Sequence, residues 1–101
     1  MGVQSKVESN GKELIIKVDG RFDFSAHQEF RDAYESVPSG INSYIVDLNN
    51  TSYLDSSALG MLLLLRDHAG GDDASIRIIK CNADVKKILT ISNFEQLFTI
   101  Q

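Results

Sequence analysis

The sequence predicts a single α/β domain: a mixed β-sheet of four to five strands with helices packed mainly on one face. Three observations carry this. The chain has 101 residues, 43% of them hydrophobic, which suits one domain with a real core. Strand-like and helix-like apolar patterns alternate along it. Gly and the single proline, Pro38, punctuate only short turns, and the chain reads without linker, low-complexity tract or internal repeat, so the domain spans 1–101.

The elements follow in order. Val3 to Ser9 reads as a strand, and Asn10-Gly11 supplies the positive φ angles of a tight hairpin. Glu13 to Val18 is the second strand, antiparallel to the first, and Asp19-Gly20 breaks it. Phe22 and Phe24 flank Asp23 in a short extended piece. Ser25 is a suitable N-cap, with Gln28 three residues on as in a capping box. The helix that follows, Ala26 to about Glu35, carries Phe30, Ala33 and Tyr34 on one face. Tyr44 to Leu48 is near-continuously apolar, as a central strand requires. Asn49 to Ser52 reads as a turn, and a helix from Ser56 to about Ala69 ends at Gly70-Gly71. Ser75 to Cys81 is another strand. Asn82 caps a helix from Ala83 to Ile91, and Asn93 tolerates the left-handed conformation a helix end favours. Phe94 to Phe98 makes a last helical turn before Thr99-Ile100. Strand–helix–strand crossovers imply parallel pairs, and the first hairpin adds an antiparallel one.

Composition excludes several function classes. A formal net charge of −4 argues against nucleic acid and against an anionic membrane surface. The longest apolar stretch, Ala58 to Leu65, is far short of the roughly 20 residues that a membrane span needs. Met1-Gly2-Val3-Gln4-Ser5-Lys6 lacks the apolar region of a signal peptide, and Lys6 misses the Ser/Thr of a myristoylation signal. The single Cys81 makes no internal disulfide and reads as a buried structural thiol. A cytoplasmic location is expected. His27 and His68 sit in no cluster with ligand spacing, so neither metal nor cofactor is expected. Ser56, Asp55 and His68 would make a triad only on paper. Twelve helical residues at about 1.5 Å each put Ser56 and His68 about 18 Å apart, beyond the reach of a nucleophile and its base. No catalytic residue is assigned, and no enzyme is expected.

The segment Leu54-Asp55-Ser56-Ser57-Ala58-Leu59-Gly60 carries the functional argument. A strand leads into a strongly apolar helix whose N-cap region holds Asp55 or Ser56. Local chemistry alone favours a plain cap contributing roughly 1 kcal/mol. Asp-Ser-Ser, however, offers more capping groups than one helix start uses, and that start favours negative charge. A phosphoryl group on Ser56 would add about −1.5 to −2 charges at a surface point without unfolding the domain. Further along, an amphipathic helix would show polar residues within Met61 to Leu65. One face of that run is expected on the sheet, the rest against a neighbouring helix or on an apolar surface.

These residues resemble a known family. Tyr44-Ile45-Val46-Asp47-Leu48 followed by Tyr53-Leu54-Asp55-Ser56-Ser57-Ala58-Leu59-Gly60 is similar to the signature of bacterial STAS-domain anti-sigma factor antagonists, or anti-anti-sigma factors. There an apolar strand precedes Asp-Ser-Ser/Thr-Gly-Leu-Gly at a helix start. Gly20-Arg21-Phe22-Asp23-Phe24-Ser25-Ala26 resembles the family's Gly-x-Leu-Asp turn. Val85-Lys86-Lys87-Ile88-Leu89 with Ile91-Ser92-Asn93-Phe94 resembles its last amphipathic helix. The resemblance implies a STAS-like fold and a protein-binding switch without chemistry of its own. It makes Ser56 the phosphoacceptor and Ser57 a capping or contact residue. It places partner binding on Asp23, Phe24 and Ser25 and on Asp55, Ser57, Ala58 and Leu59.

The unphosphorylated form is then expected to bind an anti-sigma factor, in the family often itself a serine kinase, or a related regulator. Phosphorylation releases it, and a phosphatase of the PP2C type restores binding. Ala58 stands where the family commonly has Gly, which favours the helix by about 1 kcal/mol but adds a methyl group where a partner approaches. The alternative reading is a constitutive interaction or ligand-sensing STAS module in which Asp55-Ser56 is only a helix cap.

Overall fold

The computed structural model describes residues 2–101. Its elements are β1 (Gly2–Glu8), β2 (Glu13–Phe22), α1 (His27–Glu35), β3 (Ser43–Asp47), β4 (Thr51–Leu54), α2 (Ser56–His68), β5 (Ile76–Ile79), α3 (Ala83–Ile91) and β6 (Thr99–Ile100), with short 3-10 turns at Phe24–Ala26, Gly71–Asp73 and Phe94–Gln96. Five strands lie in the order β1-β2-β3-β5-β6, and β4 pairs with β2. The β1–β2 pair is antiparallel and every other pair is parallel, as the hairpin and crossovers require. The mixed sheet and its helices are those the sequence predicts; the strands number six rather than four or five.

The sheet has one core face. Leu14 and Ile16 of β2 are in register with Tyr44 and Val46 of β3, and these with Ile76 and Ile78 of β5. All six are buried in one cluster with Phe30 of α1, Leu62 and Leu65 of α2 and Leu89 of α3. On the opposite face Gln4, Lys6, Lys17 and Arg77 are exposed. This is the period-2 alternation of a sheet covered on one side.

Four local expectations are corrected. Asp19-Gly20 does not end β2. Gly20 has φ +83, and the β2–β4 register shifts between Gly20 and Arg21. The glycine absorbs a bulge while pairing continues, because it carries no side chain to oppose a positive φ. The expected turn at Asn49–Ser52 is shorter, with β4 beginning at Thr51. Burial drives that pairing: the Gly20 N–H donates to the Asn50 carbonyl at 2.9 Å, and the buried Thr51 hydroxyl donates to the Val18 carbonyl at 2.7 Å. The cap before α1 comes from Asp23, which accepts from the Ser25 N–H, not from Ser25. The β1–β2 loop spans residues 9–12, with positive φ at Ser9, Asn10 and Gly11, rather than a two-residue Asn-Gly turn.

Other signals translate directly. Asn82 caps α3 by accepting from the Val85 N–H at 2.8 Å, and its amide donates to the Thr51 carbonyl at 3.1 Å, tying α3 to β4. Asn93 and Gly70 are left-handed, where the sequence asks for helix ends. Cys81 departs from its expected burial on a Ser75–Cys81 strand: β5 ends at Ile79, and the thiol beyond it is half-buried against the core.

Candidate functional site

β2 and β4 run parallel and their last register pair is Phe22 with Leu54. Each strand then breaks into a turn of the same form. Asp23 and Asp55 have nearly the same extended backbone, φ −132, ψ −170 and φ −122, ψ −174. Asp23 Oδ1 accepts the N–H and hydroxyl of Ser25. Asp55 Oδ1 accepts the Ser57 N–H at 3.0 Å, the Ser57 hydroxyl at 2.6 Å and the Ala58 N–H at 3.1 Å. The two turns begin side by side, with Phe24 and Ser56 at matching positions. The sequence does contain a short repeat after all: Phe22-Asp23-Phe24-Ser25-Ala26 and Leu54-Asp55-Ser56-Ser57-Ala58. Spacing of apolar, Asp, Ser and Ala positions was the signal that could have revealed it.

The repeat sorts the candidate residues. Phe22, Ala26, Leu54 and Ala58 are buried. Ala58 is 0% exposed, so its methyl group fills the core and does not face a partner. This corrects its placement on the binding surface, because the third helical residue points back over the sheet. Ser57 is half-buried with its hydroxyl tied to Asp55. Asp23, Asp55 and Leu59 are half-buried, and Ser25 and Ser56 are exposed. Phe24 is 71% exposed, its ring stacked on His27 at 5.3 Å. Of the run Met61–Leu65, Met61, Leu62 and Leu65 are buried, while Leu63 and Leu64 reach solvent.

The electrostatics follow from the turns. The hydrogen bond from the Ser57 hydroxyl is the largest influence on the Asp55 carboxyl and, with those from the Ala58 and Ser57 N–H groups, holds it below the usual range against the upward push of burial and of Asp23. Asp23 is likewise lowered, first by the Ser25 hydroxyl, then by the Ser25 N–H and by Arg21. Arg21 pairs with Asp23 at 3.2 Å and lies over the Tyr53 ring, 4.2 Å from its centroid. Two carboxylates held below the usual range thus stand at the paired turns, Asp55 directly before Ser56. Asp55 already occupies the second and third N–H groups of α2, so a phosphoryl group on Ser56 would face solvent and add to a negative surface rather than settle into the helix start. Ser56 and His68 are the first and last residues of one helix, which keeps them apart. Among the described residues no group of three or more His, Cys, Asp or Glu is placed to hold a metal, and no helix is long and apolar enough to cross a membrane.

The family described as "Mlab, STAS domain" matches residues 5–99. The chain belongs to the STAS-domain family. A STAS-domain containing protein of Pseudomonas aeruginosa is 60% identical over 100 residues, 99% of each chain. Among solved structures, a putative anti-sigma factor antagonist from Thermotoga maritima aligns at TM-score 0.82 and 15% identity, over 96% of this chain and 83% of that one. The Bacillus cell fate determinant SpoIIAA, in its phosphorylated form, aligns at TM-score 0.75 and 15% identity, over 99% of this chain and 91% of that one. This STAS domain therefore has the fold of these proteins.

Proposed function

We propose that this STAS domain is a phosphorylation-switched anti-anti-sigma factor, acting in the cytoplasm. Unphosphorylated, it binds an anti-sigma factor or a related regulator. Phosphorylation of Ser56, by that partner or by a separate serine kinase, releases it, and a PP2C-type phosphatase resets it. The observation that carries the reading is the division of labour at the start of α2. Asp55 caps the helix, Ser57 is held by Asp55, and Ser56, at the first helical position, is left exposed. The Asp-Ser order of the family is thus matched by a hydroxyl open to a kinase. Phe24 stands at the matching position on the neighbouring turn and supplies apolar contact area, and Asp23, Ser25 and Leu59 complete the proposed contact surface. A phosphoryl group adds about −1.5 to −2 charges there, beside two carboxylates that are already ionised.

The test has two stages. The purified chain is incubated with cell extract and ATP and mapped by mass spectrometry; a phosphoryl mass on Ser56 and none on Ser57 is expected. Calorimetry then compares Ser56→Ala and Ser56→Asp against the anti-sigma factor, with at least a tenfold weaker Kd for the Asp variant, equivalent to about 1.4 kcal/mol. Equal affinities would refute the switch and leave the turn as a helix cap.

A further inference from the structure

At the end of α2 remote from Ser56, a cleft of about 290 Å³ opens between Tyr34 of α1, Tyr44 of β3, His68 and the 37–41 connection. It adjoins a second hollow of about 200 Å³ that shares Tyr34 and His68 and is bounded by Leu64. Tyr34 and Tyr44 are only 5% and 6% exposed. Buried tyrosine hydroxyls usually find a hydrogen-bond partner. Here burial is the main influence on both phenols, raising each above its ordinary pKa, and among the described residues no hydrogen bond acts on either. Among the described residues no enclosed side-chain polar atom is left without a partner. Both hydroxyls must therefore meet solvent with the little surface their residues keep, and the cleft is the opening that both side chains line.

Two phenols present two donors in a recess where Val37, Pro38 and Ile41 supply apolar wall beside Glu35, Ser39 and Gly40. The His68 ring packs against Tyr34 at 4.9 Å between centroids and closes one side. Glu35 also lines the cleft, and its carboxylate pairs with Arg31 at 3.0 Å. We infer that this cleft is a binding site for a small molecule that pairs an apolar body with one hydrogen-bond-accepting oxygen, a carbonyl or a carboxylate. Its volume is at the lower end of small-molecule sites, which sets the ligand at the size of a single substituted ring. Ser56 lies about 18 Å away along α2 by helical rise, so the site is separate from the switch and does not depend on it.

The experiment is a titration of the isotope-labelled full chain with benzoate, with acetophenone and with toluene, followed through backbone amide shifts. Saturable shifts at residues 34, 37 and 44 with benzoate or acetophenone are expected, in the millimolar range, together with weaker binding of toluene. The better of the two oxygen-bearing probes distinguishes a charged from a neutral acceptor. Tyr34→Phe and Tyr44→Phe keep the ring and remove the donor; at least one should weaken that probe about tenfold, near the upper end of what one hydrogen bond contributes. Three results would overturn the inference: no saturable shift at these residues, toluene binding as tightly as the oxygen-bearing probes, or unchanged affinity in both Phe variants.

Discussion

Asp55→Ala removes one side chain and three hydrogen bonds, all accepted by Oδ1. Replacing an N-cap Asp by Ala costs roughly 0.5–2 kcal/mol. The upper half of that range is expected here. The Ala58 residue is fully buried, so water does not readily replace the lost acceptor for its N–H. Ser56 cannot substitute as a cap, because it is itself the first helical residue. A loss near 2 kcal/mol lowers the Tm of a domain of this size by roughly 8–16 °C, at about 4–8 °C per kcal/mol. Urea unfolding followed by circular dichroism should show a lower midpoint with an unchanged m-value.

Asp55→Asn is the decisive control, since it keeps the Oδ1 acceptor and loses only the charge, and Asn caps about as well as Asp. It should stay within about 0.5 kcal/mol of the parent at pH 7. Equal destabilisation by Ala and Asn would refute the capping account. The pH dependence gives a second check. The folded-state pKa of Asp55 is lowered, so its ionised form contributes stability that is fully present above the unfolded value of about 3.9 and lost as pH falls through the folded value. The parent's margin over Asp55→Asn should therefore be flat near neutrality and shrink only in acid.

Two further substitutions probe the fold that presents the site. Phe22→Ala empties a fully buried position that packs on Phe30 at 5.0 Å and should cost about 3–5 kcal/mol in chemical unfolding; a loss below about 1 kcal/mol would contradict the packing. Gly20→Ala meets no neighbouring atom, so its whole effect is the positive φ, a destabilisation of about 1–2 kcal/mol by thermal melt; a variant as stable as the parent would show that the bulge relaxes freely.

Much of this was legible along the chain because the signals are local. The caps at Asp55 and Asn82, the left-handed Asn93 and Gly70, and the apolar stripe of α1 each depend on residues within about one turn of helix. The site was half legible. Asp55-Ser56-Ser57 announced a helix start and a hydroxyl at its head, and the family resemblance singled out Ser56. The inward face of Ala58 was not legible, since an Ala at the third helical position suits core and surface alike. Nor was the end of β2: Asp19-Gly20 has the composition of a turn, and only pairing with β4 keeps it extended.

The sequence by itself determined the class of fold, the order of its elements and the chemistry available at the head of α2, all written in periodicity and capping over a few residues. The tertiary structure alone decided that Asp23 stands beside Asp55, that Phe24 matches Ser56, that Leu63 and Leu64 are the outward members of their run, and that Tyr34 and Tyr44 share a cleft. Those facts rest on strand register and helix packing between segments ten to more than thirty residues apart. Such contacts form only when the whole chain buries its apolar surface together, and no local window of residues contains them.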